Sequence, residues 1–222
     1  MRRLACLFLV VVSGCIGLPK YASPSVPEPV EAFIDHLAFA ADCLDRGDTT
    51  AAIPHLADHV RLNPDHVLIR SLLAEQLLKL GKYADAGIEF ERVADTYCND
   101  LATHRESLVQ CHTRLMQIAQ ERGNEFEESF HRGAGLLLMV EGWNPKVQDA
   151  NLTERTLSQA LTNLRDAAEK NPNDARTQLL LGDLLSRMGQ HGAAKSAYRK
   201  ANSCEHVGFT SAERERLCEN CK

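Results

Sequence analysis

Between Leu62 and Val93 apolar and polar positions follow a helical period. In LNPDHVLIRSLLAEQLLKLGKYADAGIEFERV, Leu68, Leu72, Leu73, Leu77, Leu78 and Leu80 gather on one broad helical face. Gly81-Lys82 interrupts the pattern as a tight turn, and Ala86, Phe90 and Val93 then make a second, narrower face. The spacing predicts two helices folded back on each other. A hairpin of this kind cannot bury both faces alone and needs neighbours of the same sort.

Those neighbours stand at fixed distances. Gly47, Ala52, Leu56 and Pro64 precede Gly81, Ala86, Phe90 and Cys98 by 34 residues each. Further on, Gly189, Ala194, Tyr198 and Ala201 repeat Gly81, Ala86, Phe90 and Val93, while Ala160, Leu164, Ala167 and Pro172 repeat Ala52, Leu56, His59 and Pro64. The small residue lets two helices approach, and the large one a turn later fills the space beside it. This period and this pair resemble the tetratricopeptide repeat (TPR). The resemblance covers residues 31–98 and 153–203 and implies an all-α fold, a helix-turn-helix TPR-like solenoid. Leu181-Gly182 fits the pattern's Leu-Gly pair. Cys43 stands where a large aromatic is usual, His59 where a small residue is usual, and Cys98 replaces the terminal proline.

The rest of the chain is organised around these units. Residues 1–14 read as a signal peptide and 15–30 as a lipidated, flexible tether. Two TPR units occupy 31–98, followed by an irregular, degenerate helical middle and loop at 99–152. Residues 153–203 hold a half-unit and a full unit, and 204–222 form a C-terminal capping helix with a CxxC. Within the middle, helix formers run from Leu101 to Arg122 and from Glu125 to Val140, where His131-Arg132-Gly133-Ala134-Gly135 marks a place of close packing. The loop Glu141–Asn151 holds the single tryptophan, Trp143.

The first residues change the picture most. Arg2 and Arg3 precede an apolar run, Leu4 to Val12, too short to span a bilayer and suited to a secretory signal. The run ends in Val12-Ser13-Gly14-Cys15, which resembles a bacterial lipobox, and this implies acylation of Cys15 and a protein exported to the cell envelope and held there by lipid. The chain is 44 % hydrophobic but only 5 % aromatic, the balance of Ala/Leu-rich helix pairs. Its formal net charge of −5 lacks the basic footprint that nucleic acid requires.

The TPR resemblance implies that the first helix of each pair lines a groove for a protein or peptide partner. The positions facing it are Ile34, Leu37, Ala41 and Leu44, then Leu68, Ser71, Glu75 and Leu78, and in the last unit Arg176, Leu179, Asp183 and Ser186. The Lys/Asn set with which some TPR proteins clamp a peptide carboxylate is missing. An apolar early lining and a charged late one suit an extended peptide or an amphipathic helix.

Chemistry is sparse. Cys204, His206, Cys218 and Cys221 have the spacing of a zinc site, of a disulfide, or of incidental thiols. The CxxC ends the chain, so no helix follows it to lower a thiol pKa as in thioredoxin-type motifs. His55 and His59 lie four apart without an evident third ligand, and Cys98 and Cys111 have the separation for a bridge between helices. No G-x-S-x-G, H-E-x-x-H or phosphate-loop pattern occurs. The expectation is a non-enzymatic scaffold without a cofactor. The alternative is a redox or metal protein using the C-terminal cysteines.

Overall fold

Aspartates start half of the helices, because a short carboxylate can accept the amides that the first turn leaves free. Asp35, Asp48, Asp100, Asp149 and Asp174 each do so. The computed structural model describes residues 35–142, 149–206 and 208–221, and these form ten helices without a strand among the described residues. They are α1 (His36–Asp45), α2 (Thr49–Leu62), α3 (Val67–Lys79), α4 (Tyr83–Cys98) and α5 (Leu101–Arg122), then α6 (Glu125–Gly142), α7 (Ala150–Lys170), α8 (Ala175–Arg187), α9 (His191–Ser203) and α10 (Ser211–Asn220). Gly47, Gly81 and Gly189 close the short hairpins at φ of 76°, 68° and 74°, which side-chain-bearing residues rarely adopt.

One packing device recurs. A small residue on the first helix of a pair is matched, sixteen positions later, by a large residue on the second: Ala40 and Leu56, Ala74 and Phe90, Gly182 and Tyr198. All are buried. At Gly182 the approach is so close that a Cβ would overlap the Tyr198 ring. Ala52, Ala86, Ala160 and Ala194 are no more than 2 % exposed, so no larger side chain fits without displacing a neighbour. A second device is shared by the first helices of two pairs. Arg70 Nη2 donates to Pro64 O at 2.9 Å, and Gln178 Nε2 donates to Pro172 O at 3.4 Å. Both side chains are buried, and both tie the incoming loop to the helix. Arg70 also pairs with Glu89 on α4 at 2.6 Å.

The middle departs from the repeat in length rather than in kind. Gly133 on α6 faces Leu164 on α7, and a Cβ there would stand 2.7 Å from Leu164 Cγ. This is the same small-to-large contact, with thirty-one residues between partners in place of sixteen. α6 and α7 are therefore a stretched helix pair that crosses the expected boundary at 152/153. Part of the expected loop is helical, since α6 runs to Gly142 and α7 starts at Ala150; Trp143 lies outside the described residues. α5 is the helix left over, inserted between the α3/α4 and α6/α7 pairs. The apolar interior divides beside it. One cluster takes Ala40 through Ile118 on α1 to α5, and the other takes Leu137 through Leu217 on α6 to α10.

Candidate partner-binding site

The helix pairing decides which side of each first helix is buried and which is left for a partner. On α3 the small Ala74 turns inward, and the expectation holds only in part. Leu68, 71 % exposed, and Glu75, half-buried, lie away from it. Ser71 and Leu78, three and four positions from Ala74, share its side, and Leu78 packs against the first apolar cluster. On α1, Leu37 and Leu44 are half-buried and Ala41 is exposed, while Ile34 lies outside the described residues. Glu75 is engaged by Arg114 of α5 at 2.8 Å.

On α8 the expectation needs correcting. Leu179 is fully buried in the second apolar cluster, so it is core and not lining. Ser186 is half-buried. Arg176 and Asp183 do face outward, but both are occupied by other parts of the chain. Arg176 pairs with Asp95 of α4 at 2.8 Å and with Glu213 of α10 at 3.3 Å, and it donates to Gly208 O. Asp183 pairs with Arg216 of α10 at 3.2 Å and accepts from Tyr198 Oη at 2.9 Å. The capping helix thus lies across the groove-facing side of α8. Thr210 and Glu213 form a capping box at its start, Ser211 Oγ reaches Asn99 Oδ1 at 3.2 Å, and Phe209 and Leu217 are its buried anchors.

Beneath α10 is a cavity of about 330 Å³ among α4, α5, α6, α8 and α10. Phe130, Ala134 and Leu137 of α6 line it, with Leu180 and Arg176 of α8. Counting from the small residue, Phe130, Ala134 and Leu137 are to Gly133 what Leu179, Asp183 and Ser186 are to Gly182. They stand at the offsets that the TPR resemblance gives to the groove, but like Leu179 the residues Ala134 and Leu137 are buried, so they line this cavity rather than an open groove. The sequence expectation did not include them. Aligning Gly133 with Gly182 would have found them.

Two imidazoles sit at the α5/α6 side of the cavity, with Nδ1 of His112 and Nδ1 of His131 3.0 Å apart. One nitrogen must donate and the other accept, so the pair requires at least one neutral ring. Burial, with the Arg176 guanidinium nearby, brings His112 down to about 4. Burial, then His112 and Arg176, holds His131 well below the usual histidine range. Burial raises Asp183 despite Arg216 and Tyr198 beside it.

The cysteine and histidine candidates are dispersed. Among the described residues no three His, Cys, Asp or Glu side chains converge as a metal-ligand set. Cys204 and Cys221 are half-buried and Cys218 is exposed, all as free thiols. His206 bonds Ala201 O at 3.0 Å and stacks on Phe209, and the Cys221 thiol lies 3.6 Å from Tyr198 O. Cys98 and Cys111 are also unbridged, and burial pushes their thiols up to about 11 and about 12. His55 stacks on Phe39, while His59 meets His66 at 2.9 Å. Cys15 lies outside the described residues.

These features define a helical-repeat solenoid whose first helices carry the candidate site. Residues 37–98 match the family model for the tetratricopeptide repeat. The small-to-large contact continues in α6/α7 and α8/α9, so the described residues beyond the match keep the packing of a TPR-like helical solenoid. Similar solved structures include a TPR protein of Thermus thermophilus (20 % identity, 83 % of this chain and 79 % of that one, TM-score 0.38). Human IFIT1 with PPP-AAAA is similar at 20 % identity and a TM-score of 0.43 over 74 % of this chain, which spans only 38 % of that one. The TPR2AB domain of yeast Sti1 in complex with pHSP90 is similar at 14 % identity over 83 % of this chain and 81 % of that one, with a TM-score of 0.38. A search of curated proteins found no match to the sequence.

Proposed function

We propose that the chain is a non-enzymatic scaffold that holds a protein partner in the cell envelope, anchored through lipid on Cys15. The observation that carries the reading is the outward side of α1 and α3, where Leu68 is 71 % exposed and Leu37 and Leu44 are half-buried, leaving apolar surface for a partner. An amphipathic or extended segment lays its apolar side chains on such a surface. The fold supports this reading, since TPR arrays are protein-interaction scaffolds. The lipid anchor rests on the leader and Ser13-Gly14-Cys15. No helix of the described residues is long and apolar enough to cross a membrane.

Crosslinking in cells and purification from solubilised envelope tests the scaffold. A specific partner lost on Leu68→Glu is the expected result, and recovery of the same proteins with Leu68→Glu as with the unaltered chain would count against the site. Fractionation tests the anchor. Cys15→Ser should release the chain or leave the leader uncleaved, whereas an unmodified mature N-terminus elsewhere would end the lipoprotein reading.

A further inference from the structure

α10 is a poor fit for a helix that belongs permanently where it lies. It has ten residues, SAERERLCEN, of which only Leu217 is buried. A helix so short is marginal by itself and depends on what it docks against. Its docking is mostly polar, through Glu213 to Arg176 and Arg216 to Asp183. Ala212, Glu213 and Arg216 share one helical face and all line the cavity. Over that apolar space α10 offers a single methyl group, from Ala212, so about 330 Å³ stays open below it.

We propose that α10 holds, within the chain, the seat of a partner helix. The partner, on the scaffold reading above, is an amphipathic helix with three features. It carries an acidic residue for Arg176, an arginine three positions later for Asp183, and a large apolar residue where α10 has Ala212. The charges are those the structure displays in place, and the apolar residue fills what α10 leaves open. Such a helix removes more apolar surface from water than α10 does and displaces it. α10 competes from a high effective concentration because it is tethered, so weak or incomplete mimics are excluded.

The test uses purified full chain and a peptide spanning residues 208–222 with Ala212→Leu. In the chain carrying Leu217→Asp, which frees α10 and leaves the receptor residues intact, the peptide should bind saturably and at least tenfold more tightly than in the unaltered chain. Asp183→Asn added to the freed chain should weaken binding tenfold or more, and so should a peptide with Glu213→Arg and Arg216→Glu. No saturable binding to a freed chain that keeps its helical circular dichroism, or equal binding of the charge-exchanged peptide, overturns the proposal. A second measurement needs no release: Ala212→Leu in the otherwise unaltered chain should raise the thermal midpoint, and a lowered midpoint overturns the proposal. Failure of either leaves the envelope partner purification, which reads α1 and α3, to stand or fall separately.

Discussion

The α1–α4 half and the α6–α9 half use the same contact and expose different surfaces. In both, a small residue on the first helix and a large one on the second are buried together, and at Gly133/Leu164 and Gly182/Tyr198 they touch. In the first half the hairpins are short, Leu68 on α3 is left exposed, and α5 reaches that side through Arg114 to Glu75. In the second, α6/α7 is stretched, α5 and α10 close over the outward side, and a groove becomes a cavity. The repeat therefore specifies how two helices pack. It leaves unspecified what sits on the face they share.

The largest effect should come from removing a large partner. Phe90→Ala should cost about 3–5 kcal/mol, read from a urea denaturation midpoint, because Phe90 is 2 % exposed and its loss opens a cavity. If the two halves share one device, Tyr198→Ala should cost as much; a change below about 1 kcal/mol would separate them. Enlarging the small partner should cost less. Ala86→Leu and Gly133→Ala should each lose about 1–3 kcal/mol through overpacking, and Leu164→Ala should partly relieve Gly133→Ala. Additive losses in that double variant would mean the two residues do not touch.

The α5/α6 junction should respond to pH. Both His112 and His131 are held below the histidine value of 6.5, so the unfolded chain takes up protons first. Their contribution is complete above about 6.5 and falls away as pH drops toward about 4. Denaturation midpoints should decline across that window, and His112→Leu with His131→Leu should flatten the decline. An unchanged slope in the double variant would assign the pH response elsewhere. The smallest expected effect is a gain. Gly192 lies in α9, and a methyl group added to its Cα would meet nothing within 4 Å, so Gly192→Ala should add about 0.5 kcal/mol to the same midpoint free energy.

Much of this was legible in the chain. Ala52/Leu56, Ala86/Phe90, Ala160/Leu164 and Ala194/Tyr198 announce second helices because small-then-large spacing survives even where the residues change. The stretched pair was harder to see, since Gly133 and Leu164 are separated by an extension that no fixed period tolerates. Leu179 was misplaced for a related reason: a leucine at a groove offset and a leucine in the core look alike until the neighbouring helix is in place. The destination of α10 was not legible at all. Its sequence carries one buried apolar side chain and alternating charges, and only Arg176 and Asp183, far upstream on α8, say where those charges go.

The free thiols have a practical use. Alkylating reagents attack the thiolate, and at neutral pH the half-buried Cys98 and the buried Cys111 have almost none. Cys218 is the exposed cysteine among the described residues, and it rides on α10. A maleimide dye placed there would brighten, dim or tumble faster as the helix leaves its seat, turning the last turn of the chain into a reporter of its own occupancy.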